Sequence, residues 1–383
     1  MYITSTQLSK TRKSDKLAVK QLQALLNLLG ERLIVDGDYG NKSYQAVKAF
    51  QASQGISSDG IAGDGFWSKL YLASMAKIEA LVGDDYEALQ LGSENYDLVL
   101  WLQSILYLIN NVTTTTGQYD EALEEVIRDF QSASECTESG CVDTETWQQL
   151  FEKLKGEVER VTSMMISDED ITEIANENDL SPAAVKAVLK VESRGRGYYK
   201  DGRVLILFEG HKFYDQLKKY GLSPSDYVSG NEDIIFPKYN KKSYNGDQYK
   251  RLERAKAIHE EAALKSASWG LFQIMGFNHE YAGFDTVQEY VDSSKVSEKR
   301  QLEAFISFIK NTNCFQPLQE KDWATFARRY NGKSYKENQY DEKMEKQYNS
   351  SNLVKGVHEV MDEDKYVNHY ALELEKAFYA FDE

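Results

Sequence analysis

The N-terminal half of the chain repeats itself with a period of 80 residues. Leu22-Gln23 recurs as Leu102-Gln103, Gly37 as Gly117, Tyr39 as Tyr119 and Phe50-Gln51 as Phe130-Gln131. Gly60 recurs as Gly140, Trp67 as Trp147 and Leu70 as Leu150, without a gap. A fixed period of this kind means one supersecondary module built twice. Each copy predicts three helices. In the first copy, Leu17, Gln21, Leu22, Leu25, Leu26, Leu28 and Leu29 form an amphipathic stretch that Gly30 ends. The turn Val35-Asp36-Gly37-Asp38-Tyr39-Gly40 follows. A second helix opens near Asn41 and carries Tyr44, Val47, Phe50 and Gln51. The turn from Ser58 to Asp64 leads to a third, with Phe66, Trp67 and Leu70. The second copy runs from about Tyr96 to Leu154, and the connector from Ser74 to Ser93 is expected to be partly helical. The same register sets Cys136 opposite Ile56 and Cys141 opposite Ile61, which favours buried thiols over a bridge.

At 383 residues the chain has room for two or three domains. No apolar run approaches the ~20 residues of a membrane span, and the N-terminus lacks the basic and apolar regions of a secretion signal. A net charge of −16 argues against nucleic acid as the main partner, because phosphate binding needs a basic face. Three cysteines make no disulfide framework. No cluster of ligand-type residues suggests a metal or cofactor, so none is expected.

The turns and helices of the first copy resemble a known family. Leu22-Gln23, Asp36-Gly37-Asp38-Tyr39-Gly40, Ala46-Val47-Lys48-Ala49-Phe50-Gln51, Asp59-Gly60-Ile61-Ala62-Gly63 and Trp67-Ser68-Lys69-Leu70 look like the small helical peptidoglycan-binding domain of cell-wall hydrolases. The resemblance implies wall contact, for which Asp36, Tyr39 and Asp59 are the candidates. The second copy departs at two turns, where Asp120 and Asp143 stand in place of Gly40 and Gly63. Its three-helix fold should survive; its ligand binding is in question.

Beyond Ile166 the period stops and polar groups gather with turn glycines. Ser181-Pro182 opens a helical stretch that runs to Glu192, with Gly195 as a stop signal. Val185, Val188 and Leu189 lie seven, four and three residues before Glu192, so its carboxyl sits on the apolar stripe. Burial and the negative end of the helix dipole both favour a protonated carboxyl. A neutral carboxylic acid is what a glycosidase uses to protonate a leaving oxygen. The plainer alternative is a helix-end Glu paired with Arg194 or Arg196.

Three further clusters follow. Val204 to Phe208 is a five-residue apolar run that predicts a short strand or a helix start, and Glu209 closes it 17 residues after Glu192. Two carboxyls across a scissile bond are usual in glycoside hydrolysis. His211 lacks a second His at ligand spacing, so hydrogen bonding or packing suits it better than metal binding. Ser268-Trp269-Gly270-Leu271-Phe272-Gln273-Ile274-Met275-Gly276 offers glycines for close approach and Gln273 as both donor and acceptor. Phe326 to Gly332 includes Tyr330 and Asn331, which suit either a helix C-cap or a sugar contact.

Together these clusters resemble the N-acetylmuramidase domain of modular phage endolysins, from about Ile166 to Tyr340. The resemblance implies a mainly α protein: two tandem three-helix units at 10–75 and 90–155, then a lysozyme-like, helix-rich domain at 165–383 with a small β element. It implies Glu192 and Glu209 as catalytic, and Ser268, Gln273, Tyr330 and Asn331 as substrate contacts, to which His211 is added here as a candidate. The implied substrate is the peptidoglycan glycan strand, cut at the β-1,4 bond between N-acetylmuramic acid and N-acetylglucosamine. No stable membrane association is expected, and the protein should be a monomer. It should stay in the host cytoplasm until released to the wall. The rival expectations are a lytic transglycosylase and a non-catalytic wall-binding protein. Both Asn338-Gln339-Tyr340 and Asn368-His369-Tyr370 resemble the start of the family's last helix.

Overall fold

The computed structural model describes residues 1, 7–10, 15–81, 86–110, 115–192, 196–199, 201–238, 246–332, 335–336 and 338–352. The chain divides into two compact units, Met1–Ser163 and Met164–Glu383.

The first unit contains both copies of the repeat. Helices α1 (Lys16–Leu28), α2 (Asn41–Ser53) and α3 (Asp64–Leu81) form one copy, and α4 (Tyr96–Asn110), α5 (Glu121–Ala133) and α6 (Thr144–Met164) the other. The connector is partly helical because α3 runs on to Leu81. Asp15 caps α1 by accepting from the amides of Leu17 and Ala18. Nearly every face of α1 is buried, since it packs on α3 within its own copy and on α4 of the other. Asn27 Nδ2 crosses to Ser104 Oγ at 2.9 Å, and Val35 N to Thr115 Oγ1 at 2.8 Å. The two copies are thus one packed body rather than beads on a string.

The recurring glutamines explain why the repeat keeps its period. Gln23 receives Gly37 N at 3.0 Å and donates to Asp36 Oδ1 at 2.9 Å and Asp38 O at 3.1 Å. Gln103 receives Gly117 N at 2.8 Å and donates to Gln118 O at 3.2 Å. Gln51 and Gln131 bracket Gly60 N and Gly140 N in the same way, at 2.8 and 2.9 Å. Each side chain is buried and satisfies the backbone of a turn that no strand or helix could satisfy. Gly60 and Gly140 both adopt positive φ, near +72° and +71°. A side chain at Gly60 would also overlap the Tyr44 ring. Where the second copy loses glycine, aspartate takes over as a cap. Asp120 Oδ1 accepts Leu123 N at 2.9 Å, and Asp143 Oδ1 accepts Thr146 N at 2.9 Å. A cap of this type contributes about 1 kcal/mol. Trp67 and Trp147 lie in the core. Cys136, Cys141 and Cys314 are all free thiols, but Cys136 and Cys141 are half-buried rather than buried as the repeat register predicts.

In the second unit, α7 (Asp168–Glu177) and α8 (Pro182–Glu192) precede strand β1 (Ile206–Phe208) and helix α9 (Gly210–Lys219). Helices α10 (Gln248–Lys256) and α11 (Glu260–Lys265) lead to β2 (Ala267–Trp269) and β3 (Ile274–Met275). Then come α12 (Val287–Val296), α13 (Glu298–Asn311), α14 (Phe315–Glu320), α15 (Trp323–Tyr330) and α16 (Tyr340–Asn352). The sheet is antiparallel in the order β1-β2-β3, with Leu207 opposite Ser268 and Ser268 opposite Met275. The run from Val204 is therefore a strand and not a helix start. Helix α16 begins at Tyr340 and packs on α8 and α15. The second helix start, at Asn368-His369-Tyr370, and the Gly195 stop lie outside the described residues.

Candidate active site

Glu192 is the last residue of α8 and is only 2% exposed. Val185, Val188 and Leu189 on the same stripe are buried with it. Asn331 Nδ2 donates to Glu192 Oε1 at 2.9 Å. Asn331 is itself the C-cap of α15, its amide bonded to Ala327 O at 2.7 Å. One residue therefore caps the helix and orients the Glu192 carboxyl. Its Oδ1 is buried and has no hydrogen-bond partner among the described residues.

Tyr330, one residue earlier, donates its hydroxyl to Phe272 O at 3.0 Å, which ties α15 to the β2–β3 turn. It packs against Phe305, Phe308 and Phe326, with ring centroids 5.3–5.7 Å apart. Burial pushes the Tyr330 phenol well above its usual range, and the neighbouring Glu192 carboxyl pushes the same way. The phenol is a neutral donor across the working pH range.

The β2–β3 turn consumes the polar atoms of two further candidates. Ser268 Oγ donates to Gln273 Oε1 at 2.8 Å, and Gln273 Nε2 donates to Gly270 O at 2.7 Å and to Leu205 O at 3.2 Å. Ser268 is fully buried and Gln273 nearly so. Their side chains thus stitch β1 to the hairpin instead of standing in open space. Gln273 also takes a positive φ of 49°, an unusual conformation that its own bonds stabilise.

Glu209 follows β1 and is the N-cap of α9, at 1% exposure. Its amide donates to Ser266 O at 2.9 Å. The next residue must be glycine, because a Cβ at Gly210 would meet the Phe236 ring and Ile234 O. His211 Nε2 lies 3.4 Å from Glu209 Oε2. Burial pushes the His211 imidazole down to about 3, with Lys212 adding to the effect. It is an internal neighbour of Glu209, and its burial favours the neutral imidazole.

A continuous path of contacts joins the two carboxyls. Glu192 bonds Asn331, Tyr330 bonds the Phe272 carbonyl, the hairpin pairs with β1, and Glu209 directly follows β1. Three supporting residues escaped the sequence reading. Gln301 Oε1 accepts Leu271 N at 2.6 Å, and its Nε2 donates to Ser294 O at 2.7 Å, from beneath the turn. Glu298 accepts Gly197 N at 2.7 Å and Ile166 N at 2.9 Å, which anchors the chain just after Glu192. Arg251 donates to Phe208 O at 2.9 Å and Asp233 O at 2.9 Å, behind Glu209. All three are polar side chains on buried helix faces, the same signal that singled out Glu192.

In the first unit, Asp36 and Asp59 are exposed, and each spends Oδ1 on its own turn. Tyr39, a candidate for wall contact, is instead 5% exposed and donates its hydroxyl to Gly60 O at 2.9 Å. Among the described residues no cluster could hold a metal ion. A groove of about 430 Å³ between α7 and α13 is lined by Glu173, Asn178, Lys299 and Lys310, and by none of the candidates.

Residues 181–352 match the family model of N-acetylmuramidase, and this span contains every candidate of the second unit. Residues 16–70 and 95–150 match that of a putative peptidoglycan binding domain, one match for each copy of the repeat. The crystal structure of a Burkholderia AP3 phage endolysin is 35% identical, with 70% of this chain and 98% of that chain covered, at a TM-score of 0.46. The chain belongs to the N-acetylmuramidase family. No curated protein matches it. The muramidase is a glycoside hydrolase of peptidoglycan, built for cell-wall lysis, with peptidoglycan-binding repeats ahead of the enzymatic unit. Its mainly helical fold with one small sheet is the fold that the resemblance implies. No helix among the described residues is long and apolar enough to cross a membrane.

Proposed function

We propose that the muramidase cuts the β-1,4 bond between N-acetylmuramic acid and N-acetylglucosamine, with Glu192 as general acid. One observation carries the proposal: a carboxyl 2% exposed, at the C-terminal end of α8, oriented by the Asn331 amide at 2.9 Å. Removal from water and the opposing helix dipole both favour the protonated form. The Asn331 amide can serve either form, because a carboxyl oxygen accepts its hydrogen bond whether or not the group is protonated. Proton transfer to the bridging oxygen leaves oxocarbenium-like charge on the muramic-acid ring.

Glu209 is assigned the second carboxyl role, either steadying that charge or activating water. His211 and Arg251 hold its surroundings. Glu209→Ala abolishes turnover if the group handles water and leaves much of it if the group only shapes the site. Asn331 and Tyr330 border the bound sugar in this assignment, and Ser268 and Gln273 supply the framework of the hairpin. The exposed turns at Asp36 and Asp59 are assigned to wall contact. We further assign the module bounds 10–75, 90–155 and 165–383, a monomeric state without stable membrane association, and a stay in the host cytoplasm before release to the wall.

Mass spectrometry of muropeptides released from purified sacculi tests the chemistry. Reducing muramic-acid ends are expected from the wild type, and almost no product from Glu192→Gln. Dominant 1,6-anhydro ends would make the protein a transglycosylase. Wild-type product yield from Glu192→Gln would remove Glu192 from the mechanism.

A further inference from the structure

The two copies of the repeat share a core and differ on one surface. That surface is the outer face of the second helix of each copy. Helix α2 carries Lys42 and Lys48 and no acid, whereas the equivalent α5 carries Glu121, Glu124, Glu125, Asp129 and Arg128. The formal charges are therefore +2 and −3 over equal lengths. Tyr44 and Lys48 in the first copy correspond to Glu124 and Arg128 in the second, and Asp59 to Ser139.

In the first copy, Lys10 and Lys48 place their ammonium groups 5.8 and 5.7 Å from the centre of the half-buried Tyr44 ring. The Tyr44 ring in turn covers the Gly60 turn, beside Asp59. Lys10 is held to Asn41 at the start of α2. Among the described residues neither Lys10 nor Lys48 has a carboxylate partner. In the second copy the corresponding cation is neutralised. Arg128 pairs with Glu124 at 2.7 Å and donates to Glu138 O at 2.8 Å. No cation stands where Lys10 does, since Gln90 and Leu91 fill that stretch.

We infer that Lys10, Tyr44 and Lys48 form the wall-docking patch of the first copy, and that its ligand is the free carboxylate of a peptidoglycan stem peptide. The inference rests on the chain acting on peptidoglycan. Two ammonium groups gathered on one ring, within a chain of net charge −16, make a local positive site for an anion. Asp59 at its edge meets an ammonium on the same stem. The acidic α5 face repels the same ligand, so the second copy contributes rigidity through α1 and α4 and not affinity through this face.

The test uses the full chain and co-sedimentation on ice with purified sacculi, and with sacculi stripped of stems by an amidase. Lys10→Glu with Lys48→Glu should bind intact sacculi ~tenfold more weakly, as expected when two exposed charge pairs are reversed. It should still hydrolyse short soluble glycan fragments at the wild-type rate. Lys10→Arg with Lys48→Arg should bind as wild type, which separates lost charge from lost fold. Arg128→Ala should leave binding unchanged. Wild type should bind stripped sacculi as weakly as the charge-reversed variant binds intact ones. Unchanged binding by the charge-reversed variant, or equal wild-type affinity for stripped and intact sacculi, would overturn the inference. Absence of hydrolysis by the wild type would instead strike the muramidase assignment and leave the binding comparison intact.

Discussion

Asn331→Ala separates a positioning role from a structural one. The substitution removes the 2.9 Å bond from Nδ2 to Glu192 Oε1. A buried bond of this kind to a neutral carboxyl is worth roughly 0.5–1.5 kcal/mol. The effect on folding should be no larger, for three reasons. The Asn331 backbone sits at φ −103°, which alanine adopts without strain. Its amide keeps the bond to Ala327 O. Its Oδ1, buried without a partner among the described residues, is an unfavourable group that the change also removes. The net stability change should be at most about 1 kcal/mol. The catalytic loss should approach the full value of the Glu192 bond, because a carboxyl that has lost this bond is less well aimed at the bridging oxygen. At ~1.4 kcal/mol per tenfold, that is a fall in kcat of roughly 2- to 12-fold, with KM little changed. The assays are initial-rate hydrolysis of soluble glycan oligomers and thermal unfolding of the same samples. A wild-type kcat would refute the reasoning, and so would a loss of kcat that merely tracks a fall in Tm.

Glu192→Gln should lose 10²–10⁴-fold in turnover, measured as reducing ends, while circular dichroism and sacculus binding stay as in wild type. Gly60→Ala forces a left-handed backbone on alanine and drives its Cβ into Tyr44, so urea unfolding should show a loss of about 1–3 kcal/mol in the first unit. His211 is neutral when folded, with its pKa held at about 3 by burial, and takes up a proton near 6.5 when unfolded. Its contribution is fully present above pH 6.5 and is lost as pH falls from there toward 3. The loss by pH 5 should be roughly 2 kcal/mol. His211→Gln should flatten the wild-type decline between pH 7 and pH 5, and an identical slope in the two proteins would contradict a neutral buried imidazole.

The sequence alone determined the modules and many of their supports. A gap-free period forces two copies of one packing scheme. The glutamines that recur with it turn out to be the side chains that accept the glycine amides of the turns, which lie outside any helix or strand ladder. The burial of Glu192 was equally legible, because helical spacing alone sets it on the stripe of Val185 and Val188.

What the tertiary structure decided was how polar atoms are shared among segments far apart in the chain. Residue type shows that Gln273 can grip a ligand, but not that Ser268, Gly270 and Leu205 already occupy it. Tyr39 suits a sugar surface until Gly60 O claims its hydroxyl. The partnership of Asn331 with Glu192 spans 139 residues, and Gln301 reaches Leu271 across 30. Local periodicity fixes which way a side chain faces within its own helix. Which group it meets depends on how the helices close around one another, and hydrogen bonds of 2.6–3.0 Å discriminate at a scale that spacing along the chain cannot resolve.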